Sequence, residues 1–377
     1  MTATAPEALD CAYWRSGRCR SCTLIEIPYS RQLAEKDLAA RVALGAIPDD
    51  AWLPPQASAP DHFRNKAKLV IGGRAGAVTV GILDGDRRGV DLRDCSLHEP
   101  GLRDAIHTVA DLVDELRLIP YDIPARTGEL KYALLTFSPD ARLMLRLVLR
   151  SRHHLDRIRA ALPRIRAALP TVEVVSVNIH PEHKAVLEGD EEVVLTESTT
   201  LPMRVNDVTL HLGVRSFFQT NTQVASALYR DARHWVEPLD IRSVVDLYCG
   251  VGGFAHHLSA PGRSVTGVEI SAEAVAAARL TDTTPPPTFV TGDATAYLRE
   301  SPAPDLVVVN PPRRGIASLA MDLEGSDVAH ALYSSCNAAS LAKDLDAMPS
   351  FRPVRARLFD MFPQTNHSEI LVLLTRT

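Results

Sequence analysis

The residues best suited to chemistry in this sequence form a glycine-rich turn in its C-terminal half. The run VDLYCGVGGF, Val245–Phe254, passes from a strand-like segment into a helix-like segment and contains Tyr248 and Gly250. Glycines let the backbone bend tightly and let a ligand approach closely, and the start of a helix offers free N–H groups. The turn alone fits either a simple tight turn or a binding site for a nucleotide-like ligand.

Three further polar residues end the next predicted strands. Glu269 is placed to accept hydrogen bonds from ribose hydroxyls, Asp293 could contact an adenine edge, and Asn310 opens the run N-P-P. Because ligands bind at the carboxyl ends of parallel strands, the turn and these residues predict one site. The set resembles the motifs of class I S-adenosylmethionine-dependent methyltransferases. It differs from the GxGxxG/A fingerprint of dinucleotide-binding proteins, which favours S-adenosylmethionine over NAD.

Two other residues have types that suit covalent chemistry on a nucleobase. Cys336 lies in Y-S-S-C-N, and Glu369 directly precedes the apolar run Ile370–Leu374. Taken alone, Cys336 fits a buried structural cysteine and Glu369 a charge at a strand start. Methylation of uracil at carbon 5 is one reaction that needs a cysteine and a base, because a thiolate must add to carbon 6 to make carbon 5 nucleophilic and a base must afterwards remove the carbon 5 proton. The two residue types alone do not choose between these interpretations.

The cysteines are unevenly distributed. Cys11, Cys19 and Cys22 form C-x7-C-x2-C, Cys95 lies far downstream, and the remaining two of the six are Cys249 and Cys336. Four thiolates suit either zinc or an iron–sulfur cluster, and the spacing does not choose between them.

The pattern of helix-like and strand-like segments around these residues predicts an α/β chain with three parts. Residues 1–60 form an N-terminal cysteine-cluster segment with a helix that Ser30 could cap. Residues 61–200 form a central α+β RNA-binding domain that contributes Cys95 and contains a helix over Leu102–Leu118. Residues 201–377 form the catalytic domain. There, helices alternate with apolar strands, which predicts a doubly wound parallel sheet. Its predicted strands are Val244–Leu247, Ser264–Val268, Phe289–Thr291 and Leu306–Val309.

Composition and charge restrict the class of protein. The chain has 377 residues, 46% of them hydrophobic, and a formal net charge of -5. This charge argues against a surface coated in cations but leaves room for local basic patches. Candidates are the arginines at positions 15, 18 and 20, the run His62–Lys68, and the arginine-rich helix after Leu149. With few cysteines, no signal-peptide pattern and no apolar run long enough to span a membrane, the expected location is a reducing cytoplasm.

Five motifs in order resemble the RNA uracil-5-methyltransferase family over essentially the whole chain. They are SFFQTN (Ser216–Asn221), DLYCGVGGF, NPPRRG (Asn310–Gly315), SSCN and DMFPQTNHSE. The resemblance implies a catalytic domain with the Rossmann-like class I methyltransferase fold. It also implies that Cys336 is the nucleophile and that Glu369 is the base. The residues that match family contacts to S-adenosylmethionine are Gln219, Tyr248, Glu269 and Asn310.

The chain departs from the family pattern at two positions. Asn310 replaces the aspartate that many members carry in D-P-P-R, and because it is uncharged we assign it no proton abstraction. Ala338 stands where proline often follows S-C-N, which we expect to matter little. Arg313 is expected to steady the uracil oxygen or a phosphate.

The resemblance also implies a cofactor and a substrate. A structural [4Fe–4S] cluster would be held by Cys11, Cys19, Cys22 and Cys95, with zinc as the alternative. The cysteine layout, and the lack of room before Cys11 for a small β-barrel RNA-binding module, are similar to a branch of the family that modifies 23S rRNA. The expected substrate is therefore a loop uridine of 23S rRNA that is flipped out of its stack. No membrane and no obligate protein partner are expected.

Three alternatives remain beside this interpretation. The chain could be a tRNA uracil-5-methyltransferase, an amine-directed methyltransferase that uses the N-P-P run, or a non-catalytic iron–sulfur RNA-binding protein. The joint presence of Cys336 and Glu369 in their motifs favours uridine methylation.

Overall fold

The computed structural model describes residues 8–184 and 186–377, which form two compact units. The central unit contains Cys11–Ser21 and Asp61–Met203. The C-terminal unit contains Cys22–Pro60 and Arg204–Thr377, together with residues 8–10. The predicted N-terminal segment, residues 1–60, is thus divided between the two units.

The helices and strands are numbered in chain order. The helices are α1 (Ala12–Arg15), α2 (Tyr29–Ala43), α3 (Pro100–Glu115), α4 (Leu155–Ala160), α5 (Leu162–Ala168), α6 (Thr222–Val236), α7 (Gly253–Leu258), α8 (Ala272–Ala278), α9 (Ala294–Glu300), α10 (Ser318–Glu324) and α11 (Ala338–Asp346). The strands are β1 (Lys66–Arg74), β2 (Ala77–Leu83), β3 (Gly89–Asp91), β4 (Leu130–Phe137), β5 (Leu143–Leu149), β6 (Val172–Ile179), β7 (Glu191–Val194), β8 (Thr200–Val205), β9 (Val208–Gly213), β10 (Ser243–Leu247), β11 (Ser264–Glu269), β12 (Thr288–Thr291), β13 (Leu306–Val309), β14 (His330–Ser335), β15 (Phe351–Phe359) and β16 (Glu369–Arg376). None of the helices in the described part of the chain is long and apolar enough to cross a membrane.

The central unit is built on one seven-stranded sheet in the order β3-β2-β1-β4-β5-β6-β7. All neighbouring strands are antiparallel except β5 and β6, which are parallel. A parallel pair needs a crossover connection, and α4 and α5 provide it. The two helices are separated by a break, and Pro163 lies in the first turn of α5, where its missing N–H costs no hydrogen bond.

Helix α3 covers the core of the central unit. Ile106, Val109 and Val113 recur at helical spacing and are buried against sheet residues such as Leu135 and Leu147. Pro100 stands in the first turn, where its missing N–H costs no hydrogen bond. The predicted helix over Leu102–Leu118 is therefore found, shifted by two to three residues at each end.

The C-terminal unit contains the doubly wound α/β sheet that the sequence predicts, in the order β12-β11-β10-β13-β14-β16-β15. Strands β10 to β14 are parallel, and β16 is antiparallel to both β14 and β15. All four predicted parallel strands are present. The sequence analysis did not identify β14 or β15, because neither HALYSS nor the arginine-rich FRPVRARLF has a strong apolar pattern.

Helix α2 begins earlier in the chain than expected. It starts at Tyr29 after Pro28 and has no side-chain cap, so the proposed cap at Ser30 is wrong. Its apolar residues Leu38 and Val42 are 63% and 76% exposed, whereas the polar residues Gln32 and Lys36 are buried together with Ala40. The helix therefore packs through buried polar side chains as well as through apolar contacts.

The packing of α3 gives a test of the central unit. Ile106 is fully buried, so Ile106→Ala removes apolar contacts and leaves a cavity. We expect the free energy of unfolding to fall by about 2–5 kcal/mol in urea titrations. Asp111→Ala, at an exposed position of the same helix, should change it by less than about 0.5 kcal/mol. Equal losses in the two variants would show that Ile106 is not a core residue.

Candidate active site

The C-terminal unit holds an open cavity of about 470 Å³. Its walls come from α2, from the segment after β13, from the start of α11 and from the loop before β16. Cys336 and Arg313 both line it. The volume is within the range of pockets that accept small ligands, and a nucleobase would fit.

The topology of the sheet explains why Cys336 and Glu369 meet. Cys336 directly follows β14, and Glu369 is the first residue of β16, which runs antiparallel to β14. Ser335 pairs with Ile370, so the next step of the register sets Cys336 opposite Glu369. Residues opposite each other in an antiparallel pair point to the same face. The structure therefore brings together the two residues that the sequence predicts for covalent chemistry.

Glu369 is a buried carboxyl group with one well-defined partner. It is 2% exposed, and the Ser334 hydroxyl donates to its Oε1 at 2.5 Å. Burial disfavours the charged form and raises the pKa of Glu369 to about 7, although the Ser334 hydrogen bond opposes the shift. The group can therefore exchange a proton near neutral pH.

Cys336 is half-buried and lies in a mixed electrostatic environment. Burial raises the pKa of its thiol, the negative charge of Glu369 raises it further, and the Arg313 guanidinium lowers it. The thiol form therefore predominates in the resting site, and Arg313 is the nearby cation that would favour a thiolate.

Both the backbone carbonyl and the guanidinium of Arg313 have partners near Cys336. The Asn337 side chain donates to the Arg313 carbonyl at 2.9 Å, and Arg313 Nη2 lies 3.2 Å from His367 Nδ1. Asn337 also caps α11, accepting from Ala339 N–H at 3.1 Å. The capped helix thus fixes the backbone around Cys336.

The glycine-rich turn follows β10 and has the left-handed backbone that its sequence predicts. Tyr248, Gly250 and Gly252 have φ values of 62°, 55° and 81°. At Gly252 a Cβ would lie 2.7 Å from the Phe289 ring, so only glycine fits. Glu269, at the end of β11, accepts from Gly250 N–H at 3.1 Å and from Ser271 N–H at 3.0 Å. Glu269, which the sequence predicts to contact ribose, therefore stabilises the conformation of the turn.

Two of the other predicted cofactor residues follow strands of the sheet, and the third precedes a helix. Asp293 follows β12 and caps α9 by accepting from Thr295 and Ala296 N–H, each at 3.0 Å. Asn310 directly follows β13, and Gln219 is buried in the segment before α6. Asp293 and Asn310 thus share the carboxyl edge of the sheet with the glycine-rich turn. Gln219 lies outside the sheet, in the segment between β9 and α6.

The sequence analysis overlooked three residues near these predicted sites. Asp246 is fully buried at the end of β10, where it accepts from Ala255 N–H at 2.9 Å, and burial raises its pKa to about 8. It ties the strand to the start of α7. Phe217 and Ile270 are 72% and 76% exposed, two and one residues from Gln219 and Glu269. The sequence feature that could have identified Phe217 and Ile270 is an apolar residue within a polar turn.

Three of the four predicted cluster ligands are neighbours within the central unit. Burial raises the pKa of the Cys95 thiol, and the nearby Cys11 and Cys19 thiols raise it further, while Arg64 lowers it. The fourth predicted ligand, Cys22, belongs to the C-terminal unit. Within residues 8–184 and 186–377, no three His, Cys, Asp or Glu side chains converge as the ligands of one metal ion.

The segment that contains Cys11 and Cys19 is hydrogen-bonded to the end of β3 and to the turn before Cys95. The Tyr13 hydroxyl accepts from Asp94 N–H at 3.2 Å, and the Arg18 guanidinium donates to the Asp91 carbonyl at 3.2 Å. These contacts fix the position of the two thiols relative to Cys95.

Family models match two parts of the chain. The tRNA (Uracil-5-)-methyltransferase family matches residues 300–377, which contain Cys336 and Glu369. The methyltransferase small domain matches residues 220–331, which contain the glycine-rich turn.

The fold also has a solved counterpart. Over 94% of this chain and 85% of its own, the Pyrococcus abyssi tRNA (uracil-54, C5)-methyltransferase, solved with S-adenosyl-L-homocysteine, superposes with a TM-score of 0.76 at 23% identity. This likeness confirms the predicted class I methyltransferase fold.

Curated relatives match over nearly the full length of the chain. The 23S rRNA (uracil(747)-C(5))-methyltransferase RlmC of Halothiobacillus neapolitanus is 45% identical, covering 98% of this chain and 100% of its own. The protein of the same name from Pectobacterium carotovorum is 44% identical with the same coverage. The resemblance found in the sequence is thereby confirmed, and the chain belongs to the 23S rRNA (uracil-C5)-methyltransferase family.

Proposed function

We propose that this chain methylates carbon 5 of a uridine in 23S rRNA, with S-adenosylmethionine as the methyl donor. The observation that carries the proposal is a cavity lined by the thiol of Cys336 and the cation of Arg313. The buried carboxyl group of Glu369 lies behind this lining, close enough for its charge to raise the pKa of Cys336. The names of the full-length relatives support uracil 747 as the position. The cytoplasm, where such a substrate is found, is the proposed location.

The first chemical step is assigned to Cys336. Once its proton is lost, the thiolate adds to carbon 6 of the uracil, and the electron pair of the C5=C6 bond moves toward the ring carbonyl. Arg313 stabilises the thiolate before addition, because it is the cation that lowers the pKa of Cys336. Its guanidinium is also proposed to donate to the developing oxyanion.

The second step requires a methyl donor at the carboxyl edge of the sheet. The glycine-rich turn, with Tyr248 and Gly250, would approach the donor closely, and Glu269 would accept hydrogen bonds from its ribose. The remaining proposed contacts are Gln219, Asp293 and Asn310. Phe217 and Ile270 are exposed apolar side chains that suit packing against an adenine ring. Carbon 5 attacks the methyl group, and S-adenosylhomocysteine leaves.

Glu369 completes the reaction. Its carboxylate takes the proton from carbon 5, the C–H electron pair re-forms the C5=C6 bond, and the Cys336 thiolate is expelled. A carboxyl group with a pKa of about 7 suits this task, since it is a stronger base than an exposed carboxylate yet is partly ionised at neutral pH. The net change converts one uridine and one methyl donor into 5-methyluridine, S-adenosylhomocysteine and a proton.

The target uracil must leave its stack to reach Cys336. A uridine in a loop is flipped at the lowest cost, since little stacking is lost. Cations stacked on aromatic rings near the cysteines suit RNA binding. The Arg20 guanidinium lies 4.4 Å from the Trp14 ring centroid, and that of Arg18 lies 5.4 Å from the Tyr13 ring centroid. The proposed partner is therefore a loop of 23S rRNA, without an obligate protein partner.

A [4Fe–4S] cluster is proposed at Cys11, Cys19, Cys22 and Cys95. Cys11 and Cys19 lie close enough to Cys95 for their charges to raise its pKa, so three of the four thiols are near one another. Thiolate ligands suit either metal group, and the family resemblance favours the iron–sulfur cluster over zinc. When bound, the cluster would supply a structural cross-link, because methyl transfer exchanges no electrons.

The substrate assignment can be tested with labelled methyl groups. Transcripts that contain the region of uracil 747, and tRNA transcripts, are incubated with the protein and methyl-labelled S-adenosylmethionine. We expect label only in the rRNA, recovered as 5-methyluridine at one position, and none with Cys336→Ser. Label confined to tRNA would overturn the substrate, and label on an amine, surviving Cys336→Ser, would overturn the chemistry.

The raised pKa of Glu369 predicts opposite effects on turnover and on stability. Turnover should rise with pH through about 7, since only the carboxylate can accept the carbon 5 proton. The folded pKa exceeds the unfolded value of 4.5, so the fold loses stability as pH rises between these values. Glu369→Gln should therefore be inactive yet more stable at pH 8, by up to about 3 kcal/mol, and the gain should shrink toward pH 5.

Thermal melts of the parent and Glu369→Gln at the two pH values check the stability prediction. Ser334→Ala is a useful comparison, because it removes the one hydrogen bond that lowers the pKa of Glu369. It should move the turnover profile to higher pH. A Glu369→Gln variant that is less stable than the parent at pH 8 would contradict the assignment of a costly buried charge.

The cluster proposal has a readout that does not depend on activity. Anaerobically purified protein should contain about four iron and four sulfide per chain. Cys95→Ser should lose most of both, whereas Cys249→Ser, a buried thiol outside the group, should retain them. Stoichiometric zinc without sulfide would show the alternative metal.

A further inference from the structure

Helix α2 presents a buried polar face to the loop that ends at Glu369. Lys36 Nζ lies 2.6 Å from Asp360 Oδ1, and the two side chains are 4% and 0% exposed. The same ammonium donates to the Phe362 carbonyl at 3.1 Å. One lysine from the N-terminal part of the chain thus holds two points of a loop more than 320 residues away.

A second polar pair fixes the middle of that loop. Gln32 Nε2 donates to Gln364 Oε1 at 2.9 Å, and Gln364 N–H donates to Gln32 Oε1 at 3.1 Å. Gln364 has a φ of 67°, a left-handed conformation that a residue other than glycine adopts only when its surroundings hold it there. Leu24 N–H donates to the Gln364 carbonyl at 3.0 Å as well.

The loop, Asp360–Ser368, joins β15 to β16, whose first residue is Glu369. Phe359 pairs with Glu369 at the end of the β15–β16 hairpin, so Asp360 leaves the hairpin directly across from the proposed base. His367, near the other end of the loop, contacts Arg313. A shift of Asp360 or Gln364 would therefore move the carboxyl group and the cation on both sides of Cys336.

Helix α2 is also a wall of the active-site cavity. Gln32 and Lys36 line it together with Cys336, Arg313 and His367. The polar atoms of both side chains are turned to the loop, where each has protein partners. The helix thus forms one wall of the cavity and also binds the loop through hydrogen bonds.

We propose that Lys36 and Gln32 are positioning residues for proton removal, and that α2 is the element that aligns Glu369 with carbon 5 of the bound uracil. The inference rests on the proposed function. A buried ion pair adds little net stability, because removing two charges from water costs about as much as their attraction returns. Its directional contacts with Asp360 and Phe362 instead select one loop geometry.

This assignment predicts a step-specific defect. Addition of Cys336 and transfer of the methyl group precede the use of Glu369, so both should survive a loosened loop. Proton removal should slow, and the covalent protein–RNA adduct should accumulate on unmodified RNA. A general loss of structure would instead reduce adduct formation and turnover together.

The experiment compares the full-length parent with Lys36→Met, Lys36→Arg and the exposed control Leu38→Gln on the same helix. Turnover and denaturation-resistant adduct are measured on unmodified RNA and on RNA with 5-fluorouridine at the target. For Lys36→Met we expect turnover at least tenfold slower, a parent-like adduct with 5-fluorouridine RNA, and an adduct on unmodified RNA that the parent does not accumulate. Lys36→Arg should recover part of the turnover, and Leu38→Gln should match the parent.

A second variant keeps the test decisive if Lys36→Met does not fold. Lys36→Met combined with Asp360→Leu removes both buried charges, which proteins often tolerate without loss of stability. It should fold and show the same adduct on unmodified RNA. Parent-like turnover in a folded variant, or equal loss of both adducts, would overturn the inference. If the parent itself forms no adduct with 5-fluorouridine RNA, the proposed function fails instead.

Discussion

Glu369 is a carboxyl group buried beside a thiol, and the arrangement of the site depends on keeping it there. Burial raises its pKa to about 7, and in return its charge raises the pKa of Cys336. A negative charge beside a thiol disfavours the thiolate that must attack carbon 6. Arg313 opposes this effect, because its guanidinium lowers the pKa of Cys336. The site therefore needs the cation in order to keep a base beside its nucleophile.

The antiparallel strand β16 makes this arrangement possible in a sheet that is otherwise mostly parallel. In a parallel sheet only carboxyl ends of strands meet at the ligand edge. Because β16 is reversed, its first residue lies at that edge, next to the residue that follows β14. The methyl-donor motifs end β10 to β13 on the same edge. One edge therefore collects the nucleophile, the base and the proposed donor site.

Much of this could be predicted because the chemistry lies in short, ordered motifs and the parallel strands are apolar. The four strands β10 to β13 follow from local apolar patterns, and the joint role of Cys336 and Glu369 was expected from the family resemblance. The polar packing of α2 could not be predicted, because Lys36 and Asp360 are far apart in sequence and each alone indicates a solvated surface. The same helix leaves the apolar Leu38 exposed, which its sequence alone does not indicate.

The arginine-rich helix after Leu149 shows the same limit of sequence patterns. Several of its cations form exposed ion pairs within the central unit, among them Arg159 with Asp156 and Arg164 with Glu115. A run of arginines indicates charge, but only the folded neighbours show which of these cations have acidic partners.

The most direct test of the central claim is trapping with 5-fluorouridine. The protein is incubated with S-adenosylmethionine and 23S rRNA fragments that carry 5-fluorouridine at the target, and the mixture is denatured. Fluorine cannot leave carbon 5 as a proton, so the account predicts a stable protein–RNA adduct that maps to Cys336 and is absent in Cys336→Ala. Absence of any adduct, from protein that methylates unsubstituted RNA, would contradict covalent catalysis by Cys336.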